Sequence, residues 1–247
     1  MHRLVALAPS LTEIVFALGA GDTLVGVSEY SDYPEAARRI PRVGGLEPDP
    51  EKVAALSPDL VLAIAEGQGR SAVASLEAAG IPVAVLPSGS LDAVLEDVRV
   101  VGERLGRGAE AAALVERLSE KRRKVREAAP RNGPRTLLLV WPDPPQAAGG
   151  GTFLHDVLTE AGGRNLVGDR RGWPVLSTEY LATTPVDVLV LPESEQTKEA
   201  YARAFREGSL SRGPVSKARV IRVDESELTR PGPRVFDALE RLAAAMR

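Results

Sequence analysis

The chain has 247 residues, of which 44% are hydrophobic and 26% are charged, a balance typical of a globular protein rather than a disordered or membrane-spanning one. Its formal net charge of −3 gives no electrostatic basis for binding nucleic acid or anionic lipid, which need clustered positive charge. Since the chain contains no cysteine, disulfides and thiolate metal sites are excluded.

Helix and strand signals alternate along the first part of the chain. Ser10, with Glu13 three residues on, predicts a capping box that opens a helix. Asp49 and Pro50 predict the N-cap and first residue of a short helix. The other elements predicted here are strands at residues 4–8, 24–27, 60–65 and 82–86, and helices at 71–79 and 90–105.

A long helix is predicted at residues 109–129, where Ala, Leu, Glu, Lys and Arg dominate. Strand signals return at 136–140, and the alternation continues to a final helix near 235–246. Strands separated by helices favour parallel sheets covered on both faces. We therefore predict an α/β fold of two Rossmann-like lobes with parallel sheets, at residues 1–105 and 131–247, bridged by one long rigid helix at 106–130.

Two stretches of the sequence recur further along the chain in the same order. The matches set Glu51 against Glu179 and Asp59 against Asp187. Because the two matches are collinear, they predict two similar halves that face each other across a cleft. The aligned stretches are residues 10–26 with 152–168, and residues 49–65 with 177–193.

Motifs for catalysis are weak in this chain. The run 67–72 (GQGRSA) mimics a dinucleotide-binding fingerprint, but that motif needs an acid about 20 residues on, where the chain has LPSG at 86–89. Two histidines, His2 and His155, cannot build a His-rich zinc site. The triple glycine at 149–151 lacks a following lysine and predicts a flexible turn. An intracellular α/β nucleotide-binding enzyme remains the alternative from a different class.

Aromatic residues mark two loops that follow predicted strands. Tyr30 and Tyr33 lie in the polar loop VGVSEYSDYP at 25–34, and Trp173 lies at the comparable place in the second half. Loops at strand ends are where open α/β sheets bind ligands, and only 4% of the residues are aromatic. The pattern indicates a binding site, although aromatics that merely plug the lobe ends would look the same. Arg230, just before the last helix, reaches the cleft or caps the fold.

These residues carry a resemblance to the type III substrate-binding proteins of ABC importers, which capture cobalamin, haem and ferric siderophores. The resemblance covers nearly the whole chain, and the block GVSEYSDYP is most similar to the cobalamin-binding branch. The matching segments are 8–13 (APSLTE), 25–34 (VGVSEYSDYP), 57–61 (SPDLV), 141–145 (WPDPP), 161–165 (AGGRN), 173–174 (WP) and 230–234 (RPGPR).

The resemblance implies roles for particular residues. Glu51 and Glu179 match the acids that each lobe presents to arginines of a dimeric membrane permease, and both are predicted in exposed first helical turns. The alternative is that they are ordinary helix-start acids. The residues that the resemblance places in the ligand cleft are Pro9, Ser10, Tyr30, Leu46, Trp141, Trp173 and Arg230.

The implied function is non-enzymatic capture of a corrinoid (cobalamin, vitamin B12) in the interlobe cleft, followed by delivery to the permease. The protein would need no cofactor of its own, and would act as a monomer in the periplasm or another extracytoplasmic space, although no signal peptide is visible. Leu46 and Ala147 stand where the cobalamin branch usually has aromatics, which predicts a more permissive cleft. Haem and ferric siderophores remain alternative ligands. Arg170, Arg171 and Arg230 are candidates to face an anionic siderophore.

Overall fold

The computed structural model describes residues 3–65, 70–130 and 132–247, with no side-chain description at Arg70. His2 and the glycines of the 67–72 run lie outside the described residues. The chain divides into two compact units, described separately below. The first contains residues up to Ser119 together with Pro231–Pro233, and the second contains Glu120–Arg230 together with Arg234–Arg247.

The first unit is built on a parallel four-stranded sheet. Its strand order is β2-β1-β3-β4, and Leu4 of β1 pairs with Leu24 of β2 and with Leu60 of β3. Valines and leucines on both faces are buried, as expected when helices cover a parallel sheet. The elements are β1 (Leu4–Ala6), α1 (Pro9–Ala17), β2 (Leu24–Val27), α2 (Pro50–Ala55), β3 (Leu60–Ile64), α3 (Arg70–Ala78), β4 (Val83–Leu86), α4 (Leu91–Arg104) and α5 (Gly108–Ala128), of which α5 runs on into the second unit.

The second unit repeats this topology. Its elements are β5 (Arg135–Pro142), β6 (Pro145–Ala147), α6 (Phe153–Glu160), β7 (Arg164–Asn165), α7 (Thr178–Thr183), β8 (Val188–Glu193), α8 (Glu195–Arg206), β9 (Arg219–Asp224), α9 (Glu225–Leu228) and α10 (Val235–Met246). The parallel strands run β7-β5-β8-β9, which corresponds strand for strand to β2-β1-β3-β4. The repeat predicted from sequence is therefore present in the fold. One difference is β6, which pairs antiparallel with the end of β5.

The predicted α/β class with parallel sheets is confirmed. The predicted long helix is α5, and the division between the units falls inside it, between Ser119 and Glu120. Within the second unit, Arg122 of α5 forms an ion pair of 2.7 Å with Glu160 of α6, and both side chains are mostly buried. That pair ties the end of α5 to the second unit. The domain bounds at 1–105, 106–130 and 131–247 stay a prediction.

Helix starts follow the sequence signals with one exception. Asp49 and Ser90 are N-caps as predicted, each accepting backbone N–H groups of its helix. The predicted capping box at Ser10 is wrong, because α1 begins at Pro9 and its N-cap, Ala8, makes no side-chain cap. Proline suits the first helical position, since its φ is already helical and it has no N–H to satisfy.

The described residues offer neither a membrane-spanning helix nor a metal-binding cluster. None of the helices in this part of the chain is long and apolar enough to cross a membrane. Within the same residues, no group of three or more His, Cys, Asp or Glu side chains could hold a metal ion.

Candidate functional site

Tyr30 and Leu46 lie together on the surface of the first unit. The loop after β2 carries Tyr30, which is 53% exposed, and Leu46 is 66% exposed on the turn that follows Gly45. A Cβ at Gly45 would lie 3.2 Å from both Cε2 and the hydroxyl of Tyr30, so the ring rests directly on this glycine. The structure thus places two predicted ligand residues beside the same glycine.

The Tyr30 loop is fixed from below by buried hydroxyls. The Ser31 hydroxyl lies 2.9 Å from the Thr12 hydroxyl of α1 and 2.9 Å from the Ser28 hydroxyl. The backbone N–H of Ser28 donates to the carbonyl of Ala6 at the end of β1. The two loop serines and Thr12 of α1 therefore stabilise the conformation of the loop, and Tyr30 remains exposed.

Pro9 and Ser10 begin α1 at the carboxyl end of β1. Pro9 is half-buried, but Ser10 is only 2% exposed. A Cβ at Gly232 would lie 3.3 Å from the Cα of Ser10, which shows how closely the 231–233 segment covers this helix start. Of the two predicted ligand residues, only Pro9 has appreciable surface.

In the second unit, Trp141 and Trp173 belong to one exposed row. Trp141 pairs with Gln146 across the β5–β6 hairpin, and Gln146 forms an antiparallel bridge with Val175. Residues directly opposite in antiparallel pairs project to the same face. The Gln146 side chain also donates to the carbonyl of Trp173 over 3.3 Å. Val175 is exposed. Neither Val175 nor Gln146 could be predicted from the sequence, because their proximity to Trp141 depends on strand pairing.

The predicted flexible turn at 149–151 is wrong for its first two glycines. Gly149 and Gly150 are buried, and their N–H groups donate to the carbonyls of Gly172 and Arg170 over 2.9 and 2.7 Å. A Cβ at Gly150 would lie 2.2 Å from the carbonyl oxygen of Gly168. Only glycine permits such close backbone approach, so this segment holds the Trp173 loop in place.

Arg230, Arg170 and His155, polar residues of the second unit, already have interaction partners. Arg230 is half-buried and has an interaction partner. The guanidinium of Arg170 lies 4.7 Å from the ring centre of Tyr180, at cation–π distance. His155 lies in the first turn of α6 rather than mid-helix, and its Nδ1 is 3.0 Å from the side-chain amide of Asn165. This histidine therefore has a structural role.

Glu51 and Glu179 occupy equivalent places in the two units. Both are exposed in the first turns of six-residue helices, α2 and α7. Asp49 caps α2 and Ser177 caps α7. The backbone N–H of Lys52 is the main cause that lowers the pKa of Asp49, which keeps this cap ionised beside Glu51. Each unit thus presents a negatively charged helix start to solvent.

The exposed apolar side chains are concentrated at these loops. Among residues 3–65, 70–130 and 132–247, seven large hydrophobic side chains are exposed, and six of them lie in the two regions just described. Those six are Tyr30, Tyr33, Leu46, Trp141, Trp173 and Val175. A separate cavity of about 510 Å³ in the second unit, beside Arg135 and Lys217, includes none of them. Apolar patches of this kind are suited to binding a hydrophobic surface, not to acid–base chemistry.

Comparison with known proteins identifies a family and several similar proteins. The model of the periplasmic binding protein family matches residues 4–207. An uncharacterized ABC transporter substrate-binding lipoprotein, YvrC of Bacillus subtilis, is 31% identical over 99% of this chain and 79% of its own. The vitamin B12-binding protein of Yersinia pestis is 29% identical over 99% of this chain and 86% of its own.

Among solved structures, the periplasmic heme-binding protein RhuT of Roseiflexus sp. RS-1 is similar, with a TM-score of 0.89 and 29% identity. That alignment covers 99% of this chain and 97% of RhuT. The chain belongs to the periplasmic binding protein family. Within it, the chain is a substrate-binding protein of the ABC importer type, as the sequence resemblance implied.

Proposed function

We propose that this protein captures a corrinoid, of the cobalamin type, and delivers it to a membrane permease. The observation that carries the proposal is the concentration of exposed apolar side chains at two topologically equivalent loop regions, one in each unit. A corrinoid has broad apolar faces and a fringe of amides. In the proposal, Tyr30 and Leu46 of the first unit and Trp141 and Trp173 of the second contact its faces.

Polar groups of the same regions orient the ligand in this proposal. Pro9, Ser10 and Arg230 complete the predicted set, Ser10 through its backbone because its side chain is buried. Gln146 extends the set, since its side-chain amide lies in the Trp141–Val175 row and matches the hydrogen-bonding groups of a corrinoid fringe. The similarity to a vitamin B12-binding protein supports this ligand class.

Haem is the second candidate ligand. The exposed hydroxyl-bearing side chain of Tyr30 is of the type that ligates haem iron in some proteins, and the similar RhuT structure is named heme-binding. His155 does not favour haem, because Asn165 already engages it. Ferric siderophores are less supported, since Arg170 packs on Tyr180 rather than standing free for an anionic ligand.

A retention experiment tests the proposal. Purified protein is incubated separately with cyanocobalamin, hemin and a ferric siderophore, desalted, and read by its absorption spectrum. Stoichiometric retention of cobalamin supports the proposal, and retention of haem alone transfers it to the second candidate. If no chromophore is retained at micromolar protein, ligand capture of this class is ruled out.

We also propose that Glu51 and Glu179 dock the protein on its permease, outside the cytoplasm. Two exposed acids at equivalent helix starts suit a partner that presents the same basic surface twice, as a dimer does. The name of the similar lipoprotein supports the extracytoplasmic location. In this proposal the protein is a monomer, takes no part in nucleic-acid binding and catalyses no reaction.

A further inference from the structure

The side chain of Arg42 is hydrogen-bonded to the loop that carries Tyr30. Its Nη1 group donates one hydrogen bond to the carbonyl of Ser28 over 2.8 Å and another to the carbonyl of Ser31 over 2.7 Å. These two carbonyls flank the Glu29–Tyr30 dipeptide on both sides. A single NH₂ group of the guanidinium carries two hydrogens, so it can serve both carbonyls at once.

Arg42 is itself fixed by backbone pairing. Its segment runs parallel to β2, with the N–H of Val27 donating to Pro41 and the N–H of Val43 donating to Val27. Just beyond, the N–H of Glu29 donates to the carbonyl of Gly44 over 2.9 Å. The half-buried arginine therefore extends from a backbone segment that is itself hydrogen-bonded to β2.

We propose that Arg42 is a positioning residue that holds Tyr30 in its ligand-contacting orientation before the ligand arrives; this inference rests on the proposed function. The backbone on both sides of Tyr30 is bonded to Arg42, and its ring lies on the bare backbone of Gly45. Holding a contact residue in its bound orientation lowers the ordering cost of association. The flat macrocycle then meets a prepared aromatic surface on the first unit.

Arg42→Met tests this, because methionine keeps most of the length and removes the donors. We expect corrinoid affinity to fall roughly 3- to 10-fold, the factor that follows from ordering one side chain and its loop on binding. Arg42→Lys keeps a multiple donor and should restore part of the loss. The control is Arg39→Met, at an exposed arginine three residues earlier, which should leave affinity unchanged.

A double-mutant cycle with Tyr30→Ala separates positioning from general damage. If Arg42 acts through Tyr30, Arg42→Met should have little further effect on affinity once the Tyr30 ring is absent. An equal loss in both backgrounds would overturn the proposal, as would unchanged affinity in the single variant.

A ligand-free readout keeps the test independent of the corrinoid. Protein labelled with 3-fluorotyrosine carries four fluorine signals, one per tyrosine, and Tyr30→Phe assigns the relevant one. Arg42→Met should broaden or shift the Tyr30 signal while leaving that of buried Tyr201 unchanged. An unmoved Tyr30 signal would overturn the positioning role of Arg42 even if wild-type protein binds corrinoid. If the Tyr30 signal moves but no corrinoid is retained, the positioning role of Arg42 is supported and only the proposed ligand is refuted.

Gly45→Ala gives a second variant that does not touch Arg42. The new methyl group would crowd the Tyr30 ring at 3.2 Å, so the ring must shift by a few tenths of an ångström. The same change in the Tyr30 fluorine signal is expected, without loss of the carbonyl bonds to Arg42. A Tyr30 signal that ignores both variants would show that the ring has no fixed orientation to lose.

Discussion

Asp59 in the first unit and Asp187 in the second make the same pair of backbone contacts. Asp59 accepts a hydrogen bond from the N–H of Arg3 over 2.8 Å and donates its own N–H to the Arg3 carbonyl. Asp187 repeats both bonds with Arg135, again over 2.8 Å from N–H to carboxylate. Each aspartate thus fastens the start of the third parallel strand of its unit to the start of the first.

The Asp187–Arg135 pair has additional side-chain hydrogen bonds, so we expect it to contribute more to stability than the Asp59–Arg3 pair. The Arg135 guanidinium also binds the Asp187 carboxylate and lowers the pKa of that carboxyl from 3.8 to about 2. Because the pair is partly exposed, Asp187→Asn should cost about 1 kcal/mol or less of unfolding free energy at pH 7. Asp59→Asn, which loses no such guanidinium bond, should cost less.

The lowered pKa of Asp187 determines how its contribution to the unfolding free energy changes with pH. The contribution of Asp187 is complete above its ordinary pKa of 3.8 and is lost as the pH falls towards about 2. Urea unfolding of wild type and Asp187→Asn should therefore converge over that window. A difference that stays constant from pH 7 to pH 2 would contradict this account.

The exposed aromatics should carry ligand affinity. Tyr30→Ala and Trp173→Ala are each expected to weaken corrinoid binding by at least about 1 kcal/mol, the usual cost of truncating an aromatic contact. Calorimetry measures the change. Val85→Ala, at an exposed apolar residue outside both loop regions, is the control and should bind as wild type does. Unchanged affinity in both aromatic variants would remove these residues from the site.

Reversing the charge at both proposed docking glutamates should impair delivery of the ligand to the permease without impairing ligand binding. Glu51→Arg with Glu179→Arg should leave ligand affinity intact and abolish uptake of labelled cobalamin by cells that depend on this protein. The reversal places like charges against the permease arginines that the proposal requires. The matched control is Glu77→Arg with Glu207→Arg, two exposed glutamates that are not part of α2 or α7. Normal uptake by the first double variant would refute docking through these acids.

Gly150→Ala should disturb the Trp173 loop. Its methyl group would lie 2.2 Å from the carbonyl oxygen of Gly168, so backbone must move, at a cost of roughly 1–3 kcal/mol. Thermal unfolding and the fluorescence maximum of Trp173, isolated by Trp141→Phe, would report it. Gly108→Ala is the control, because nothing lies within 4 Å of that Cβ position. Equal behaviour of the two variants would show that the close approach is unimportant.

Asp97 should make the protein less stable at neutral pH. Burial is the main cause that raises its pKa; the Ser88 hydroxyl donates to one carboxylate oxygen over 2.6 Å, and the other is buried with no partner within the described residues. A raised folded-state pKa means that stability from protonated Asp97 is present at low pH and lost as pH rises through that value. The stability of Asp97→Asn relative to wild type should therefore increase as the pH rises above the ordinary carboxyl pKa of 3.8. Chemical denaturation of both proteins at several pH values checks this prediction. The same dependence of unfolding free energy on pH in wild type and variant would contradict it.

Local sequence signals predicted much of the fold. The alternation of elements and the caps at Asp49 and Ser90 depend on residues close in the chain, and the repeat shows as similarity between two stretches of sequence. All are present in the fold. The capping box at Ser10 failed because Pro9 took the first helical position instead. The β6 strand was missed, because a three-residue strand that begins with a proline gives no usable pattern.

The aromatics of the candidate site could be singled out from the sequence, and the residues that support them could not. Tyr30 and Trp173 stood out because aromatics are rare in this chain and follow strands. Arg42 gave no signal, since its role arises from carbonyls 11 and 14 residues away in sequence. The glycines at 149 and 150 were misread as flexible, because sequence cannot reveal the backbone that packs against them.

Gly149 and Gly150 pack closely against the backbone of the Trp173 loop, so these two positions cannot be redesigned, whereas the exposed positions near them can. The tryptophans and Val175 project outward from backbone that these glycines anchor, so their identities can be varied without rebuilding the scaffold. Libraries restricted to those outward positions would therefore be a route to biosensors for other coloured macrocycles. The glycines themselves would have to be left untouched.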